Sequence, residues 1–270
     1  MSHLLKIIAV LIVLSVVGAA SYLAYDIFWK KNPPPPKPEP TLAATPQNPL
    51  QSILELAQTK AATGEINEAK SILESALPDL DQSPLSQNIL NFLGKLNAAS
   101  LLSPSPAPGK STYVVVQGDS ISRIASRSKI NPDLIVFINN LPNHNLKIGQ
   151  NLLIPELSLS ISLDSKARQL TLLNNNIFFK SYPLIDIPST VPSGNATVTD
   201  RLALLDGKRI AFGEKNYQAA QKIILLSAGG LSIKANDSSP QNSFSLSPPD
   251  MAEVFMLIRP GTPVTFHTNK

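Results

Sequence analysis

The side chains able to do covalent or metal chemistry are few in this 270-residue chain, and their spacing excludes most of it. Cysteine is absent, which removes disulfides, thiolate zinc sites, haem attachment and any cysteine nucleophile together. The three histidines, His3, His144 and His267, fall in the N-terminal segment, a mid-chain loop and the C-terminal tail. No single domain therefore holds the multi-histidine set that a metal centre needs, and nothing points to a cofactor. The formal charge of +4 comes from dispersed Lys and Arg, without an arginine-rich stripe or interleaved aromatics, so nucleic acid is not an expected partner. The same basicity suits a place beside anionic lipid or an acidic polymer.

The chemistry that remains is recognition, concentrated between residues 111 and 155. That stretch begins with a β-rich run at 113 to 116 and ends with another at 151 to 154. Two short helices fit between them. Asp119 or Ser120 can cap the first, whose apolar face is Ile121, Ile124 and Ala125. Pro132 opens the second, with Leu134, Ile135, Phe137 and Ile138 as its face. Gly118 allows the turn out of the first strand, Asp119 caps, Gly149 opens the return, and Pro155 ends the last strand.

This order, with Y-x-V-x-x-G-D-S in front, I-N-N-L after the second helix and L-x-I-G-Q-x-L-x-I-P at the close, resembles the LysM family. The resemblance implies a βααβ fold that binds N-acetylated amino sugars in glycan chains, usually peptidoglycan in bacteria or chitin elsewhere. A shallow groove between the first loop and the loop before the last strand would offer backbone N–H and C=O groups to acetamides and apolar side chains to sugar faces. Gly118, Asp119, Ser120, Ile121, Asn140 and Leu141 are the glycan-binding candidates; turn, cap and core roles account equally well for Gly118, Asp119 and Leu141. His144 reads as a solvated loop residue.

From residue 157 the pattern becomes alternating strands, LSLSISLD, ARQLTLL and IFFKSYPL, the last two separated by Asn174, Asn175 and Asn176, which tolerate left-handed turns. VPSGNATVTDR, the strand-like IILLS and LSIKA, the helical MAEVFMLI and a last strand in PGTPVTFH complete a mostly β region. The order and spacing resemble the L,D-transpeptidase catalytic domain of the YkuD type over roughly 157 to 268. That family uses a cysteine nucleophile, an activating histidine and an arginine. The resemblance places Ser243 at the cysteine, Ser245 at the arginine and Lys234 at the histidine, over a shortened intervening stretch, NDSSPQNS, so the expectation is a degenerate domain that is not an enzyme. A serine nucleophile with a lysine base, Ser243 with Lys234, is the catalytic alternative, but it needs a desolvated lysine, and the polar loop between them offers no apolar run to exclude water.

These modules need placing. Residues 7 to 24, IIAVLIVLSVVGAASYLA, are uncharged and just long enough to cross a bilayer, with Tyr22, Tyr25, Phe28 and Trp29 at the far end. They read as a retained anchor, with a cleaved signal peptide as the alternative because of Gly18, Ala19 and Ala20. Lys30 and Lys31 weakly favour a cytoplasmic C-terminal side, and the LysM resemblance overrules them because the polymer lies outside. NPPPPKPEPTLAATP should run as an extended stalk. Next comes a helical hairpin broken at Gly64 and stopped near Pro78. Its Leu56, Gly64, Ala69 and Ala76 resemble one tetratricopeptide-type repeat, and a further helix runs from about Pro84 to Leu102. Such a unit cannot bury its own face and must pack on a neighbour.

The expected architecture is multidomain α+β: a transmembrane anchor at 1–31, a proline-rich linker at 32–46, a helical segment at 47–102, a second linker at 103–110, the LysM module at 111–155 and the degenerate transpeptidase-like domain at 156–270. The expected function is a non-catalytic, single-pass protein of the bacterial cytoplasmic membrane, facing outward and tethering to or organising peptidoglycan. The alternatives are an active wall enzyme with an atypical Ser/Lys site, and a scaffold whose helical segment recruits cell-wall enzymes.

Overall fold

Helix-forming runs punctuated by glycine and proline set the first layer. In the computed structural model, which describes residues 48–235 and 242–267, α1 (Pro49–Ala62) and α2 (Ile66–Ser75) form a hairpin around Gly64, whose φ of +86° only glycine adopts freely. A short 3₁₀ turn at Leu77–Asp79 leads to α3 (Pro84–Leu102), which starts on a Ser83 cap accepting from the Ser86 N–H. Ala69 and Ala76 are buried as the pattern requires, whereas Leu56 stands half exposed and Leu54 and Ala57 fill the place expected of it. The expected anchor and proline-rich stalk lie outside the described residues, as does most of the polar loop between Lys234 and Ser243. Among the described residues no helix is long and apolar enough to cross a membrane.

The helical unit buries its face on two neighbours, α3 and a β-strand. Strands β3 (Leu159–Asp164), β4 (Gln169–Asn174) and β5 (Ile177–Pro183) form an antiparallel meander with Asn175 and Asn176 left-handed at the β4–β5 turn. Phe178 of β5 joins the helical core of Leu54, Leu73, Ile89 and Leu93. Asn97 of α3 donates to the Phe179 carbonyl at 3.0 Å. Gly94 lets helix and strand close up, since a Cβ there would lie 3.3 Å from the Lys180 Cα. The outer strand of the sheet is thereby covered by a helix instead of presenting a bare edge.

The remaining strands are β6 (Gly194–Leu205), β7 (Lys208–Arg209), β8 (Gln221–Leu226), β9 (Ser232–Ala235), β10 (Ser243–Leu246) and β11 (Pro263–His267). The sheet runs β10-β9-β8-β6-β11-β3-β4-β5, with β7 paired to β6; β10–β9 and β11–β3 are parallel and the rest antiparallel. Twelve-residue β6, in a segment whose sequence carried no strand expectation, holds the middle. Its register shifts between Val198 and Asp200. The extra residue changes the phase of alternation, so Arg201 falls on the face of the buried Ala196, Val198 and Ala203. Helix α6 (Pro248–Leu257), capped by Ser247, packs over β8 and β9.

Strands β1 (Lys110–Val114) and β2 (Asn151–Pro155) pair antiparallel and enclose α4 (Ile121–Arg127) and α5 (Pro132–Ile138), the expected βααβ order. The first strand begins three residues earlier than its hydrophobic run suggested. Leu134, Ile135 and Ile138 are buried, but Phe137 is 51% exposed and turns away from the core it was expected to join.

This module is not a bead on a linker. Residues Pro49–Lys270 form one compact unit, and a single core continues from Ile124, Leu134 and Leu152 into Ile161, Val198, Ile224 and Phe255. The last carbonyls of α6 have no intrahelical donor. Asn131 Nδ2 donates to the carbonyls of Met256, at 2.9 Å, and Ile258, while the Arg201 guanidinium donates to Phe255 O at 2.6 Å, to Asn131 Oδ1 at 2.9 Å and to Asp133 at 3.2 Å. Arg201 also lies over the Phe255 ring, 3.9 Å from its centroid. The Arg201 and Asp133 side chains are only 10% and 13% exposed, so removing the cation strands a desolvated carboxylate. Arg201→Met is therefore expected to lower unfolding stability by about 3 kcal/mol in a urea titration; a loss under about 0.5 kcal/mol would contradict this role.

Candidate functional site

Val114 pairs with Asn151, so the loop leaving β1 and the loop entering β2 emerge from the same end of the ribbon. In the first loop Gly118 takes φ +84° and its carbonyl accepts from the Arg123 guanidinium. Of the two cap candidates, Asp119 and Ser120, the helix cap is Ser120, whose Oγ accepts from the Arg123 N–H at 3.3 Å. Asp119 ties the turn. Its carboxylate accepts from the Tyr113 hydroxyl at 2.7 Å, from the Val116 N–H at 3.0 Å and from Arg127, with its side chain 3% exposed. The Tyr113 hydroxyl bond, then the Val116 N–H, then Arg127 hold its carboxyl below the usual range, and the same bond raises the Tyr113 phenol.

The candidates divide by exposure. Gly118, Ser120 and Asn140 are exposed, Leu141 is half-buried against the core, and the Ile121 side chain is 2% exposed, leaving only its backbone for a ligand. Asn140 is left-handed at φ +46°. Its neighbour Asn139, which the sequence did not single out, fastens the second loop: it donates to the carbonyls of Ile135 and Leu153 and accepts from the Leu153 N–H at 2.7 Å. The Gly149 N–H donates to Val115 O at 2.8 Å, which brings exposed Val116 and Ile148 to the same end. Both were missed because isolated aliphatics in a strand-rich segment read as core. The loops thus combine exposed backbone at Gly118 and Asn140 with aliphatic surface. His144 is exposed, as read, but its ring lies edge-on to Phe212 of the sheet region at 4.7 Å.

The second set of candidates lies on β9 and β10. Their parallel register sets Ser245 opposite Lys234 and Ser243 opposite Ser232, so Lys234, Ser243 and Ser245 share one face, but Lys234 lies level with Ser245 and not with Ser243. Ser243 and Ser245 are completely buried, and neither hydroxyl has a hydrogen-bond partner among the described residues. The Ser245 backbone is engaged with the 185–186 segment: its N–H donates to Asp186 O and its carbonyl accepts from the Ile185 N–H.

Residues 113–155 match the family model described as the LysM domain. No curated protein matches the chain by sequence. Similar solved structures include an Enterococcus faecium L,D-transpeptidase variant, 16% identical with 41% of this chain and 50% of that chain covered at a TM-score of 0.30. Another is Mycobacterium tuberculosis L,D-transpeptidase 1, 15% identical with 43% and 66% covered at 0.30. A third, from Mycobacterium smegmatis, is 13% identical with 47% and 69% covered at 0.31. The chain spans about half of the first of these and about two thirds of the others.

A carboxyl held low in the folded state stabilises above the unfolded carboxyl range and loses that contribution as pH falls through its folded value. Asp119 should therefore hold its loop at neutral pH and release it in acid. Asp119→Asn is expected to melt below the parent at pH 7, with the gap closing below about pH 4; a gap that persists unchanged in acid would contradict the assignment.

Proposed function

We propose that the chain is a peptidoglycan-binding protein that holds to the bacterial cell wall through residues 113–155. The observation that carries this reading is the LysM match over a complete βααβ module whose two loops stand exposed at one end of its ribbon. N-acetylated glycan is the ligand class that suits them. The Gly118 N–H and the Asn140 C=O meet acetamides, the Gly118 carbonyl being held by Arg123 and the Asn140 N–H by Phe137 O, and the Val116 and Ile148 aliphatics meet sugar faces.

The apolar run at 7 to 24 makes the protein a single-pass anchor of the cytoplasmic membrane, with residues 48 onward on its outer side. The transpeptidase-like region serves as a non-catalytic partner of the module. In support, the chain has no cysteine, and Ser243 is buried and level with Ser232 instead of Lys234. A nucleophile needs both access and a base within hydrogen-bond reach. The region's role is to hold the module within one compact unit.

Deleting the module would open the shared core, so the test uses surface substitutions in the 41–270 protein, which retains the whole compact unit. The parent is expected to co-sediment with purified peptidoglycan sacculi, with Val116→Asp/Ile148→Asp weakening pelleting at least about tenfold, the equivalent of ~1.4 kcal/mol. The same incubations should leave muropeptide composition unchanged by mass spectrometry. Undiminished pelleting by the double variant would remove the module from the wall contact, and new cross-links or cleavage products would overturn the non-catalytic reading.

A further inference from the structure

A cavity of about 600 Å³ opens where the three parts of the compact unit meet, and no role assigned above uses it. Leu102 ends α3 on one side, Val136 and Phe137 of α5 form a second wall, and Met251, Phe255 and Met256 of α6 form the third. The half-exposed Phe137, which left the module's core, belongs to this wall. Its volume lies in the range of small-molecule sites, which pair mostly apolar walls with a few polar groups that fix orientation. Of β9 only Ala235 lines it; Lys234, on the other face of that strand, does not, so the cavity is separate from the degenerate catalytic positions.

The charges around it are unequal. Asp133 is paired with Arg201, and Glu253 with Lys180 at 2.7 Å. Lys222, also in the wall, has no carboxylate partner among the described residues. Its ammonium sits 3.9 Å from the Tyr217 ring centroid and 5.7 Å from that of Phe255, and donates to the Tyr217 carbonyl. One of its three donors is thereby engaged, which leaves two for a ligand. Burial lowers its pKa, opposed by the Asp133 charge and aided by that of Arg201, so an anion at the ammonium would restore its charged form.

We propose that this cavity binds a carboxylate bearing an extended alkyl chain, with the chain against Val136, Phe137, Met251 and Met256 and the carboxylate on the Lys222 ammonium. A fatty acid is the smallest molecule with that chemistry. The site stands apart from the glycan reading, because it uses no residue of the exposed loops.

The test is calorimetric titration of the 41–270 protein with dodecanoate below its micelle concentration, beside acetate and dodecyltrimethylammonium. Dodecanoate is expected to bind saturably at one site, acetate and the cationic amphiphile not. Lys222→Met should weaken dodecanoate at least tenfold. Ala252→Trp, placed on the exposed flank of α6 where it fills the cavity without touching the core, should abolish binding while leaving the melting temperature near that of the parent. Absent saturable binding, equal binding of the cationic amphiphile, or unchanged affinity in the Ala252→Trp protein would each overturn the proposal. If Lys222→Met does not fold, Lys222→Gln takes its place in the charge test.

Discussion

The unmet carbonyls at the end of α6 are the constraint on which the rest of the unit depends. A helix C-terminus buried inside a protein needs donors from elsewhere. Here they come from opposite sides: Asn131, at the start of α5, and Arg201, in the central strand of the sheet. The two donors bond each other, and Arg201 also holds Asp133, so the βααβ module and a β-sheet close over one helix end. A positive charge at a helix C-terminus adds a favourable dipole interaction. The arrangement depends on the register shift in β6, which turns Arg201 inward among apolar neighbours.

A second clamp works at the far side of the sheet. Lys180 of β5 lies against Gly94 of α3 and reaches Glu253 of α6, which also accepts from the Tyr182 hydroxyl at 3.0 Å. Burial, followed by the nearby Glu253 charge, pushes that phenol well above its ordinary range, so the hydroxyl stays a donor at every physiological pH. Helix α6 is thus held at one end by the central strand and along its length by the outer one. The helical hairpin, which has too little core to stand alone, gains Phe178 as part of its floor.

What the sequence made legible was local. Ser120 before an apolar run and Pro84 and Pro132 at first turns marked helix starts, Gly64 and the Asn174–Asn176 run marked turns, and the 113–155 motifs gave the βααβ order, whereas the last helix begins at Pro248, three residues before the MAEVFMLI run. What it hid was long-range pairing. Asn131 before Pro132 reads as an ordinary helix start, and its partners are Arg201, 70 residues away, and carbonyls near the end of α6, 125 and 127 residues away. Arg201 reads as one charge in a polar segment, because a register shift leaves no mark in hydrophobic alternation. Phe137 and Leu56, apolar at helical spacing, were counted as core, although the neighbouring elements leave them exposed. At the site, Asp119 was singled out correctly but for the wrong bond: capping propensity points to the first helix, whereas Tyr113 and Arg127 recruit its carboxylate to the turn.

The docking has a consequence for recognition. It engages the side of the module that carries Asn131 and Asp133, and it leaves the loops after β1 and before β2 with Val116, Gly118, Asn140 and Ile148 exposed. On the proposed reading, the module would therefore present to a polymer a surface packed against the sheet instead of one joined by a linker alone. The most direct test is an amide chemical-shift map of the 41–270 protein titrated with a soluble N-acetylglucosamine oligomer. Saturable shifts confined to residues 116–121 and 139–149 are expected, with the amides around Asn131, Arg201 and Phe255 unmoved. Shifts centred on the docked side, or none at millimolar oligomer, would contradict it.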